Sequence, residues 1–378
     1  MPTTPTTTLN IARTFRTSSL LLLVATLSTA TAQPSDPSTT TPAPKPAKPA
    51  TTATKAAPAE EVNAESVVAE MQRHAKAIEP LLRTDLAKQF VTATEVLPLP
   101  PTRTVYRNRV KGVAYTQAQF DALPESEREG LVEKVCDPLF YYYTGYGTPL
   151  AYARPFDLLG EAGLTTIAGK RVLDFGYGSI GHLRLLASCG ADAHGIEVNP
   201  IFVAMYAQPD DQGAIANARK DGERGQITLH HGSWPGTASL STEVGEAYDL
   251  FISKNVLKRG YIHPARETDP RFLINLGVDD AAFLSNVHRV LKPGGVFMIY
   301  NISPKQNPDD QPYLPHADGR CAFDRAAIEH AGFEIIAYDR DDSAAVCEQW
   351  LRFGYDDGKG LEHLKETTFA WVTIARKK

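Results

Sequence analysis

Val172 to Gly181 read as a strand running into a glycine turn and then a helix, with Asp174, Gly176, Gly178 and Gly181 inside that run. Glycines at such a turn permit positive φ and let backbone N–H groups approach a ligand, and the start of the helix favours negative charge. Glu197 closes the next strand-like run, where a carboxylate can accept hydrogen bonds from ribose hydroxyls. A dinucleotide-binding turn would share these features, so Asp174, two residues before the first glycine, has to choose the ligand. Its charge repels a pyrophosphate and attracts an ammonium group.

S-adenosylmethionine (SAM) offers an ammonium, a carboxylate and a ribose together, which suits Asp174 and Glu197 better than a nicotinamide dinucleotide does. After the fourth strand-like run comes a polar and basic stretch from Ser253 to His263. It suits an anionic acceptor, and His263 or a lysine such as Lys254 could remove a proton, with Asn255 beside it. For Lys258 and Arg259 a solvated loop accounts for the sequence equally well. His230 and His231 are adjacent on a strand and point to opposite faces, so no metal pair is expected there. Tyr141 to Tyr146 could roof a cationic cofactor, although packing explains most of them as well, and Arg154 is a candidate partner for the carboxylate of SAM.

The region from about 165 to 378 resembles the class I SAM-dependent methyltransferases. The resemblance rests on Val172 to Gly181, on Gly195 to Pro200 with Glu197, on Tyr248 to Phe251, and on the turn Leu291 to Gly295 before a fifth strand. It implies a Rossmann-like α/β fold, a seven-stranded mostly parallel sheet with helices on both faces, and SAM as cofactor. Asp174, Gly176, Gly178 and Gly181 would border the methionine part, Glu197 would hold the ribose, and Ser233 and Trp234 would lie against adenine. The family often has an acid where Ser233 stands, and Trp234 could equally close the core. The reaction implied is in-line methyl transfer to an acceptor, read here as a small molecule, with no metal required and with Lys254, Asn255 and His263 as candidate catalytic groups. A nucleoside-binding or interaction module on the same fold, and a nicotinamide oxidoreductase disfavoured by Asp174, are the alternatives.

Strand-like runs at 171–175, 193–198, 226–230, 250–253 and 296–301 alternate with helical stretches, which argues for a parallel sheet covered on both sides. Two later runs, 333–338 and 367–375, suit an antiparallel edge. Ahead of them, residues 60–164 read as a mainly helical cap: apolar residues recur at helical spacing from Ala64 to Phe90, and short helices are predicted from Thr116 and from Pro124, the second running through Leu131 and Val135.

Residues 1–32 have the basic head, short apolar core and small-residue end of an export signal, and 33–59 form a Pro/Thr/Ala-rich spacer. Export to a periplasmic or external space sits uneasily with a cofactor made in the cytosol; organellar targeting, or a cytoplasmic protein with a misassigned start, are the other readings. The apolar run is too short for a permanent membrane span. The chain's net charge is −5; its first 59 residues carry +4, so the rest carries −9 and offers no footprint for nucleic acid. Cys136, Cys189, Cys321 and Cys347 lack the spacing of a zinc site. The acceptor atom and the oligomeric state are not readable.

Overall fold

The computed structural model describes residues 63–378, so the expected leader and spacer lie outside the described residues. The N-terminal region opens with α1 (Ala64–Ile78), capped by Asn63, whose side chain accepts from the Ser66 N–H, and α2 (Asp85–Thr92), capped by Thr84. Next come β1 (Arg103–Asn108), β2 (Val113–Thr116), α3 (Gln117–Ala122), α4 (Glu125–Arg128) and β3 (Val132–Cys136). Thr116 and Gln119 form a reciprocal capping box that fixes the start of α3. The helix expected through Val135 is corrected: α4 stops after one turn, Gly130 adopts φ +76°, and Val132–Cys136 pairs antiparallel with β1. With β2 on its other side, β1 is the centre of a small three-stranded sheet, an addition to a region whose elements are otherwise helices. It ends in α5 (Pro138–Tyr143) and α6 (Ala153–Glu161).

The main sheet begins with β4 (Arg171–Phe175), α7 (Gly181–Ser188), β5 (Asp192–Glu197), α8 (Pro200–Met205), β6 (Gly213–Ile215) and β7 (Gly225–His231). It continues through α9 (Ala238–Val244), β8 (Tyr248–Lys254), α10 (Arg259–Ile262), α11 (Asp280–Val290) and β9 (Leu291–Pro304). It closes with α12 (Arg325–His330), β10 (Phe333–Asp341), α13 (Ser343–Phe353), α14 (Gly360–Thr367) and β11 (Thr368–Lys377). The eight strands lie in the order β10-β11-β9-β8-β4-β5-β7-β6. The pairs from β7 through β5, β4 and β8 to β9 are parallel, and β11 is antiparallel to both β9 and β10. The three-residue β6 is an addition to the seven strands expected. Of Leu291 to Gly295, expected as a turn, only Leu291 pairs with β8: the register shift between Tyr248 and Leu250 leaves 292–295 out of the ladder, Gly294 adopts φ +75°, and regular pairing resumes at Val296.

Alternation along the strands sends side chains to two cores. Val172, Leu250, Ile252 and Met298 face one in which Met71, Phe90, Tyr142 and Phe156 of the N-terminal region also pack. Leu173, Phe251, Phe297 and Ile299 face the other, with Phe283 and Val287 of α11. The N-terminal region therefore completes one face of the sheet. All four cysteines are free thiols, and burial pushes Cys136 up to about 11 and Cys321 up to about 12. Among the described residues no helix is long and apolar enough to cross a membrane.

Candidate functional site

β4 has β5 on one side and β8 on the other: the chain runs outward from β4 through β5 to β7 and then returns to β8 on β4's far side. This makes the C-terminal ends of these strands the switch point at which such sheets form a crevice. Asp174 and Lys254 both lie there on the face against which the N-terminal region packs, since each continues the alternation of Val172 or Ile252. Asp174 is fully buried, and its Oδ2 accepts from the Tyr152 hydroxyl at 2.8 Å and meets His182 Nε2 at 2.5 Å. The Tyr152 and His182 rings are stacked at 3.8 Å. Burial and the Asp174 carboxylate hold the Tyr152 hydroxyl far above its usual range, so it stays a donor. Asp174 Oδ1 is buried without a partner.

The glycine turn follows at once. Gly176 and Gly178 adopt φ +80° and +57°, which L side chains rarely take. A Cβ on Gly176 would lie 2.5 Å from Val256, and one on Gly178 would lie 2.8 Å from the ring of Tyr146. Tyr146 is 44% exposed and stands at the mouth of the crevice. Gly181 differs from the other two. It lies in α7, and its missing side chain makes room for Pro149 and Tyr142 of the N-terminal region.

Glu197 ends β5, nearly buried. Its Oε1 accepts from the N–H groups of Val198 and Asn199 at 2.9 and 3.0 Å, and its Oε2 from Gly178 at 3.1 Å. Burial raises its pKa, and the three N–H groups pull it back down. Three of roughly four acceptor sites are used, so capacity remains on Oε2. Ser233 is half-buried just beyond β7, after Gly232, whose N–H donates to the Glu197 carbonyl. Trp234 is corrected: it is 1% exposed and packs among Phe175, Phe251 and Phe283, which leaves no ring face for adenine.

Lys254 is 9% exposed at the end of β8, with its Nζ 5.2 Å from the Tyr152 ring. Burial pushes its pKa down to about 8 against the pull of Asp174. The other two candidate catalytic residues lie elsewhere. Asn255, at φ +65°, turns the chain, and its Oδ1 accepts from the Ile302 N–H at 2.7 Å, so the side chain ties β8 to β9. His263 is half-exposed and paired with Asp280 at 2.8 Å, with no contact to Asp174 or Lys254 among the described residues.

Arg154 is also corrected. Its guanidinium bonds Asp342 with two nitrogens, at 2.8 and 2.9 Å, and Asp157 with the third, at 2.9 Å. Lys258 is not a solvated residue: it is 3% exposed, and its Nζ donates to the carbonyls of Ile302 and His316 at 2.6 and 2.9 Å. Burial and the charge of Lys254 push it down to about 7. Sequence reasoning missed His182. Its position in the first turn of α7 was the available signal, because helical side chains lean toward the N-terminus and so back to the end of β4. Among the described residues no cluster of His, Cys, Asp or Glu could hold a metal.

No family model matches the chain, and no curated protein does. Among solved structures it is similar to a SAM-dependent methyltransferase from Mesorhizobium loti, 17% identical over 57% of this chain and 95% of that one, with a TM-score of 0.34. It is similar to a SAM-dependent methyltransferase from Thiobacillus denitrificans solved with S-adenosylhomocysteine, at 16% identity, 58% and 90% coverage and a TM-score of 0.31. It is also similar to the [4+2]-cyclase SpnF, at 20% identity, 59% and 80% coverage and a TM-score of 0.35. What decides the fold is the strand order, together with the glycine turn after β4, the acid ending β5 and the reversed β11. The fold is that of the class I SAM-dependent methyltransferases. In this methyltransferase fold the crevice holds an acid at the end of each of two neighbouring strands and a buried lysine on a third.

Proposed function

We propose that the protein transfers the methyl group of SAM to a small-molecule acceptor. The observation that carries this reading is Asp174 Oδ1, a buried carboxylate oxygen without a partner at the start of a positive-φ glycine turn. A buried carboxylate oxygen left without a donor is costly, and a cationic ligand group relieves that cost. SAM, when bound, supplies a methyl group on a cationic sulfur, open to displacement by a nucleophile. Gly176 and Gly178 keep the turn free of side chains, and Oε2 of Glu197 has a lone pair left for a ribose hydroxyl. On this reading Ser233, which follows the Gly232 N–H that donates to the Glu197 carbonyl at the end of β5, faces the adenine side. The N-terminal region, seated on the same face through Tyr146, Pro149 and Tyr152, excludes water from the reacting centre.

Isothermal titration calorimetry with SAM, S-adenosylhomocysteine and NAD tests the cofactor. Saturable binding of the first two, none of NAD, and at least tenfold weaker binding in Glu197→Ala are expected. Seating of NAD in preference to SAM would overturn the reading. Transfer of label from methyl-labelled SAM into small molecules of a cell extract tests the reaction, and binding without transfer would leave a nucleoside-binding module.

A further inference from the structure

The crevice leaves one group of each charge unused. Asp174 Oδ1 accepts nothing, because Tyr152 and His182 both occupy Oδ2. Lys254 is nine-tenths buried and its ammonium has no hydrogen-bond or ion-pair partner among the described residues. The two lie on the same face of adjacent strands: Asp174 is level with Ile252, and Lys254 is one pleat further, about 6.6 Å along β8. The Asp174 carboxylate favours the protonated Lys254 across this gap, yet no ion pair joins them. The other charges nearby are committed. Lys258 is held by two carbonyls, Glu197 by three N–H groups and Arg154 by Asp342 and Asp157.

Unlike charges buried together but held apart match a ligand that carries the reverse pair on neighbouring atoms, as the α-carbon of an amino acid does. We infer that Lys254 binds the α-carboxylate of the methionine end of SAM while Asp174 Oδ1 accepts from its α-ammonium. The inference rests on the methyl-transfer reading above, and it assigns to Lys254 the contact for which Arg154 is not available. Lys254 thereby selects nucleosides that bear an amino-acid tail over those that lack one.

Calorimetry at pH 7 with S-adenosylhomocysteine and with methylthioadenosine, which has the adenosine and the thioether but no amino-acid end, separates the possibilities. The wild-type chain should bind S-adenosylhomocysteine at least tenfold more tightly than methylthioadenosine. Lys254→Met should lower the first affinity at least tenfold and leave the second within twofold, which also certifies the variant's fold. Lys254→Arg, which keeps the charge, should retain the greater part of the preference. A smaller loss in Lys254→Met, a gain, equal weakening of both ligands, or an equal loss in Lys254→Arg overturns the assignment. If the wild-type chain binds neither ligand, the methyl-transfer reading falls and this one with it.

Discussion

Lys254 pays for its position in proton affinity. Its folded pKa of about 8 lies below the ordinary lysine value of 10.5, so between those values the unfolded chain holds more protons than the folded one. Stability contributed at this residue therefore rises with pH across that window, and below it the buried charge costs on the order of 3 kcal/mol. Lys254→Met should be more stable than wild type at pH 7, with an advantage that shrinks steadily toward pH 10.5. Urea denaturation of both proteins at pH 7, 8.5 and 10 measures this, and an advantage that does not vary with pH contradicts it. Asp174, the glycines and Glu197 were legible in the sequence because one short local pattern makes the turn that gathers them. The states of Lys258 and Arg154 were not, because the carbonyls of Ile302 and His316 and the carboxylate of Asp342 reach them from remote parts of the chain.

At the scale of elements, α6 is fastened to the sheet through charge. Arg154 links Asp157 in its own helix to Asp342 ahead of α13, and Asp342 also accepts from the Tyr300 hydroxyl of β9 at 2.8 Å. Asp157 Oδ1 in turn accepts from the Arg83 and Thr84 N–H groups and the Thr84 hydroxyl, which anchors the start of α2. Arg154→Met leaves two buried carboxylates without their cation and should destabilise the fold by about 3 kcal/mol or more. Affinity for S-adenosylhomocysteine under native conditions should stay within about twofold. Denaturation and calorimetry on one preparation check both halves, and a large affinity loss in a stable variant would return Arg154 to the ligand. The long β/α alternation was readable because each strand there is buried and bounded by turns. β3 escaped because a five-residue strand takes its identity from pairing with β1, which no local period records.

In the whole molecule, the N-terminal region and one face of the sheet share a single apolar core. Phe90 stacks on Phe156 at 4.9 Å, and both belong to the cluster that includes Val172, Leu183 and Ile252. A fragment covering 165–378 alone would expose that face, so it should aggregate or remain partly unfolded. The chain from residue 63 onward should unfold in one cooperative transition. Differential scanning calorimetry of both decides, and an independently folded fragment would show that the shared core is dispensable. Tyr152 gives this union a practical edge, since it arrives from the N-terminal region and donates to Asp174 inside the crevice. Any redesign that replaces the N-terminal region over this sheet must carry that one phenol along, or Asp174 is left buried with His182 as its remaining side-chain partner.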